Sequence, residues 1–189
     1  VIGEAPKRPV LRRGAKAGDL LAVTGFLGGA AGGLHGLQKW GKRCATLFPE
    51  LAGLQTRPEP RLAESDALQG SMNACIDISD GLASELHHIA KASRVKCVVD
   101  SEWIPLHPKL KELARKLDLR AMDLALYGGE DYHLLAAIPP KKLRAAQKKI
   151  RALGGNLVVV GEVASGRGVF VRRGGRLHQL RALGHRHQF

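Results

Sequence analysis

Within the segment Cys75-Ile76-Asp77-Ile78-Ser79-Asp80-Gly81-Leu82 the residue pattern changes period, and that change constrains the fold more than any other part of the chain. Upstream, Asn73 to Ile78 is apolar enough for a buried strand. Downstream, Leu82, Leu86, Ile89 and Ala90 fall at the spacing of an amphipathic helix. The two halves predict a strand that passes into a helix through Ser79-Asp80-Gly81. Asp77 and Asp80 then occupy a strand's carboxyl end and a helix's amino end, a corner that holds oxygen-seeking cations and phosphates. A packed core has no use for two adjacent buried carboxylates, so their placement asks for a chemical role. The plainer alternative makes Asp80 a helix N-cap and Asp77 a strand-end turn former.

The rest of the chain alternates in the same way. Leu20 to Val23 reads as a short buried strand, followed by a glycine-rich stretch from Thr24 to Gly33 and a helix from about Ala30 toward Leu47. Pro49 to Pro60 reads as a connecting stretch, and Arg61 to Leu68 as a short helix. Val95 to Val99 has strand composition, Leu110 to Leu117 is amphipathic, and Ala121 to Leu126 is a helical turn stopped by Gly128-Gly129. Tyr132 to Ile138 is a strand, Pro139-Pro140 starts a basic helix, and Leu157 to Val163 is a strong strand. Val169–Arg172 and Arg176–Leu180 flank Gly174-Gly175 as a hairpin. This order predicts one α/β domain over 1–189 with a mixed sheet, because the closing hairpin excludes an all-parallel one.

Composition narrows the function classes. The net charge is +13, but residues 141–189 carry twelve Lys/Arg against the single acid Glu162, whereas residues 1–140 are nearly balanced. Such a basic block suits a polyanion, either nucleic acid or phosphorylated ligands, or it is a solvated surface. Its cations punctuate helix and hairpin patterns, and no nucleic-acid recognition motif is visible, so nucleic acid is not the expected partner. No apolar run approaches the ~20 residues of a membrane helix. Cys44, Cys75 and Cys97 form neither a disulfide framework nor a zinc pattern, which fits a reducing cytoplasm. The chain opens on Val1 and reads like mid-chain sequence, so a fragment of a longer protein is expected.

Two further segments carry chemistry. The glycines at 25, 28, 29, 32 and 33 let backbone approach a phosphate or another helix closely, without a Walker A lysine. Tyr127-Gly128-Gly129-Glu130-Asp131-Tyr132 places adjacent acids at the mouth of a strand, a placement suited to a cation or a cationic substrate.

Together these motifs resemble the carboxyl-terminal domain of the thiamine-monophosphate kinase family, in the superfamily of aminoimidazole-ribonucleotide synthetase. The matching residues are Arg12-Arg13-Gly14-Ala15-Lys16-Ala17-Gly18-Asp19, Thr24-Gly25-Phe26-Leu27-Gly28, Ile76-Asp77-Ile78-Ser79-Asp80-Gly81-Leu82 and Gly128-Gly129-Glu130-Asp131-Tyr132. The resemblance implies a layered α/β/α fold and an ATP- and magnesium-dependent phosphorylation of thiamine monophosphate to thiamine diphosphate. It implies that Asp77 and Asp80 bind Mg2+, that Arg12 and Ser79 contact ATP, and that Glu130 faces the thiamine monophosphate. No single catalytic acid or base is implied, and Asp131 shapes the strand entry. The family's amino-terminal domain is absent from this sequence, and with it part of the metal and nucleotide site and the contact that would form a homodimer. The isolated chain is accordingly expected to be inactive. Two positions depart from the family pattern: His133 stands where Glu is usual, and Gly184-His185 where an aromatic would contact the thiamine rings. Two rival readings are another ATP-dependent enzyme of the same superfamily and a catalytically idle scaffold using the basic block.

Overall fold

The structure, a computed structural model, describes residues 9–182. Seven strands form one sheet: β1 (Leu20–Thr24), β2 (Ala74–Asp77), β3 (Lys96–Asp100), β4 (Leu134–Ile138), β5 (Leu157–Ala164), β6 (Gly168–Arg173) and β7 (Arg176–Gln179). Their spatial order is β2-β4-β1-β5-β3-β6-β7. Every pairing is antiparallel except β3 with β6, so the sheet is mixed as expected, though dominated by antiparallel pairs. The central strands β1 and β4 are apolar on both faces, and the edge strand β7 is exposed throughout.

Among the described residues eight helices accompany the sheet: α1 (Gly29–Trp40), α2 (Arg43–Leu47), α3 (Pro49–Thr56), α4 (Leu62–Leu68), α5 (Leu82–Ser93), α6 (Leu110–Lys116), α7 (Ala121–Tyr127) and α8 (Pro140–Ala152). Strand alternation sorts the core into two layers. Leu21, Val23, Ile76 and Leu135 point to one face and pack with Leu82, Leu86 and Ile89 of α5 and Leu126 of α7. Ala22, Leu134, Ala136 and Ile138 point to the other and meet Leu68 of α4 and Ala146 and Ile150 of α8. The arrangement is the mixed α/β domain that the element order predicts, in the α/β/α layering that the family resemblance implies.

Two local expectations change. The predicted helix toward Leu47 is broken at Gly41, where φ is 54°, into α1 and α2. The 49–60 stretch is helical over its first eight residues, as α3. Pro49 is pre-set for a first helical turn, and Leu51 and Ala52 are buried against Cys44, Phe48 and Leu113. Among the described residues no helix is long and apolar enough to cross a membrane, and the three cysteines are unpaired.

Candidate functional site

The predicted corner forms at the end of β2. Asp77 is the last residue of that strand, paired with Leu134 of β4. Beyond it the ladder continues through irregular backbone: the amide of Ile78 donates to the carbonyl of His133 (2.7 Å), that of Tyr132 to Ile78 (2.9 Å) and that of Glu130 to Ser79 (2.8 Å). The two acidic motifs, about fifty residues apart in sequence, therefore lie side by side. Glycine permits the approach. A Cβ on Gly129 would stand 2.4 Å from the Ser79 carbonyl oxygen, and one on Gly81 would meet the Leu126 and Gly128 carbonyls at 2.9 Å.

The carboxylates differ in what they are used for. Asp77 is exposed and Asp80 half-buried, so neither is the buried acid that an apolar strand suggests. Nor is Asp80 a cap: the N-cap of α5 is Gly81, and no side chain bonds there. Among the described residues neither carboxylate takes a hydrogen bond or ion pair. The Ser79 hydroxyl is likewise uncommitted among them.

The buried acid is Glu85 on α5, which sequence reasoning missed. It is 2% exposed, and its Oε1 accepts from the Asp80 amide at 3.3 Å. Burial pushes its pKa up to about 7, assisted by the negative charges of Asp80 and Asp77 and opposed by that amide and by Arg12. The Arg12 backbone runs alongside β2, since the amide of Cys75 donates to the carbonyl of Leu11 (3.0 Å). Arg12 is tethered by its backbone, whose carbonyl accepts from the Ser93 hydroxyl at the far end of α5 (3.4 Å).

Oxygen donors of this kind suit magnesium, which takes one or two carboxylates and completes its octahedral shell with water and phosphate oxygens. The uncommitted oxygens of Asp77 and Asp80 fit that chemistry. Among the described residues no three His, Cys, Asp or Glu side chains converge on one point, so this pair is at most part of a coordination shell.

The neighbouring Gly-Gly-Glu-Asp segment divides its two acids. Asp131 accepts from the amides of Gly28 (2.6 Å) and Ala30 (3.2 Å) and so caps the amino end of α1 from the far side of the chain. Burial pushes its pKa up to about 6, although the amides of Gly28, Ala30 and Gly29 favour the ionised form. Glu130 is exposed, with φ at 67°, and its carboxylate is hydrogen-bonded by the Gln55 side-chain amide. Beside Glu130 opens a cavity of ≈ 300 Å³, lined among others by Ala30, Leu54, Arg57, Arg61 and His133.

His133 forms part of that wall and is buried. Burial, with Arg61 and His107 nearby, pushes its pKa down to about 4, so it is neutral at neutral pH. Its Nδ1 lies 3.5 Å from the Thr24 hydroxyl, which itself accepts from the Leu134 amide (2.9 Å). In the glycine-rich segment two glycines permit close packing. A Cβ on Gly25 would enter the His133 ring, and one on Gly33 would meet the Leu51 carbonyl. Of the predicted site residues, the backbone bonds bring Asp77, Ser79, Asp80 and Glu130 together, and Arg12 follows Leu11, whose carbonyl accepts from Cys75 two residues before Asp77. The tail position His185 lies outside the described residues.

The chain has relatives among known proteins. The family described as AIR synthase related protein, C-terminal domain, matches residues 16–174. The thiamine-monophosphate kinase of Pyrococcus abyssi is 35% identical over 181 residues, covering 96% of this chain and 54% of that protein. A crystal structure of thiamine-monophosphate kinase from Stenotrophomonas maltophilia K279a superposes with a TM-score of 0.79 at 35% identity, over 86% of this chain and 52% of that one. A structure of AaThiL complexed with AMPPCP and TMP gives 0.81 at 32% identity, over 95% and 55%. The chain thus spans about half the length of the curated relatives it matches.

Proposed function

The chain belongs to the AIR synthase related family, matching its C-terminal domain, and on that premise we propose that it supplies the carboxyl-terminal half of a thiamine-monophosphate kinase site. The reaction is transfer of the ATP γ-phosphoryl group to the phosphate oxygen of thiamine monophosphate, giving thiamine diphosphate and ADP. The relative complexed with AMPPCP and TMP supports this pairing of a nucleotide analogue with a monophosphate.

One observation carries the reading: Asp77 and Asp80 stand with no protein partner among the described residues, beside a loop that presents Glu130 to a cavity. The acceptor oxygen is already ionised, so no strong general base is required. What the step needs is positioning and neutralisation of charge between two anions. Magnesium, when bound, supplies that neutralisation. Asp77 and Asp80 would hold it. The Ser79 hydroxyl would hydrogen-bond ATP, and Arg12 would add a fixed, forked cation for its phosphates. Glu130 would place a negative charge against the permanently positive thiazolium ring. The amino end of α5 faces the same corner and favours anionic oxygens. On this reading a further domain completes the metal shell, and the protein works in the cytoplasm as a homodimer joined through that domain.

The test is product identification. The intact protein, given ATP, Mg2+ and thiamine monophosphate, should show the paired phosphorus resonances of thiamine diphosphate by 31P NMR. Turnover of ATP without that product would overturn the substrate assignment, and no turnover of any kind would overturn the kinase reading.

A further inference from the structure

Glu130 is held in two ways. Its backbone is fixed by the bond from its amide to the Ser79 carbonyl and by its left-handed conformation. Its side chain is exposed, and the described side chain that bonds it is Gln55 of α3, 75 residues away. A carboxylate only accepts, so Gln55 must present its Nε2 to Glu130. The other end of the amide, Oε1, is then buried without a protein donor. A buried acceptor left unsatisfied is unfavourable and needs a reason. Here the reason is the grip of Nε2 on Glu130. The backbone of α3 is brought into place by close packing on α1, since a Cβ on Gly33 would stand 2.0 Å from the Leu51 carbonyl oxygen and 3.1 Å from the Gln55 Cβ.

We propose that Gln55 is a positioning residue that holds the Glu130 carboxylate at the cavity, where it meets the cationic ring of the substrate. This rests on the reading of Glu130 given above. Glu130 is anchored through its backbone to the loop of Ser79, and through its side chain to α3. The distance between the substrate's positive ring and the phosphoryl-transfer corner is thereby fixed by two bonds from separate elements. Gln55 is not among the residues that line the cavity.

The test is a double-mutant cycle on the intact protein, read by calorimetric binding of thiamine monophosphate, with a non-hydrolysable ATP analogue as control. Gln55→Leu should weaken thiamine monophosphate binding about tenfold and leave the nucleotide unaffected. Glu130→Gln should weaken it at least as much. The double variant should bind no more weakly than Glu130→Gln alone. Gln55→Glu is nearly isosteric and removes the donor. It should weaken thiamine monophosphate binding at least as much as Gln55→Leu, because like charges then face each other. Gln55→Leu binding like wild type while Glu130→Gln binds weakly would overturn the positioning role and leave the reading of Glu130 intact. A double variant weaker than Glu130→Gln would overturn it too, since Gln55 would then act independently. Glu130→Gln binding like wild type would remove Glu130 from the substrate site and overturn both.

Discussion

The amide of Glu130 donates to the carbonyl of Ser79 at 2.8 Å, and this bond joins the two acidic loops into one corner. The loop of Asp77 and Asp80 and the loop of Glu130 cannot move independently while it lasts. The geometry of the site therefore depends on backbone contact between glycine-bearing segments as much as on the acidic side chains.

Gly129→Ala tests that dependence. The added methyl would stand 2.4 Å from the Ser79 carbonyl oxygen, and backbone cannot yield as a flexible side chain does. A loss of about 1–3 kcal/mol is expected from such overpacking. Urea unfolding should show it, and turnover of the intact protein should fall with it, although no acidic residue has changed.

Asp77→Asn and Asp80→Asn should behave in the opposite way. Neither side chain has a hydrogen-bond or ion-pair partner among the described residues, so thermal stability should hold while turnover falls by orders of magnitude. A second readout needs no ligand. Because Asp80 and Asp77 both push the Glu85 pKa up, either substitution should lower it from about 7, visible in a 13C carboxyl titration. Wild-type rates at limiting magnesium would remove the metal role of the pair.

Asp131 should prove structural. Asp131→Ala strips two amides at the start of α1 of their acceptor, and a loss of about 1 kcal/mol follows from the ordinary value of such a cap. Asp131→Asn keeps an acceptor and removes the buried charge. The folded pKa of about 6 lies above the ordinary 3.8, so ionisation disfavours the folded state. Wild type should lose stability relative to Asp131→Asn as pH rises from 3.8 to 6, and denaturant midpoints across that range measure the difference.

His133 should give a pH dependence of opposite sign. Its folded pKa of about 4 lies below the ordinary 6.5, so the unfolded chain takes up a proton that the folded chain refuses. The stability this group contributes is complete above pH 6.5 and is lost as pH falls toward 4, by roughly 3 kcal/mol over that window. His133→Asn should flatten this acid limb, while the cavity it leaves lowers stability by a constant amount at every pH. An unchanged acid limb would mean that His133 takes up its proton in the folded protein at the ordinary pH.

The period change at Asp77–Leu82 was enough to define the strand, the turn and the helix, because each of those signals is carried by residues within a few positions of one another. The short apolar runs in Leu20–Val23 and Tyr132–Ile138 likewise marked two central strands. Asp77, Ser79, Asp80 and Glu130 were legible as candidates for the same reason. Glu85 was not, since a glutamate in a helix's first turn is ordinary, and only its position against the aspartates makes it a buried acid of the site. The helical start of 49–60 was hidden by its prolines, which mark a first helical turn as readily as a loop.

What the sequence by itself determined is local: where the chain extends, where it coils, and which acids stand at the junctions. What only the tertiary structure decided is how those acids are used. Asp131 caps a helix whose first residues lie 103 and 101 positions away, Glu130 is gripped from α3, and Asp77 and Asp80 are left without partners among the described residues. The physical reason is that a hydrogen bond between distant segments depends on how the sheet and helices pack together, and it leaves no periodic trace in either segment.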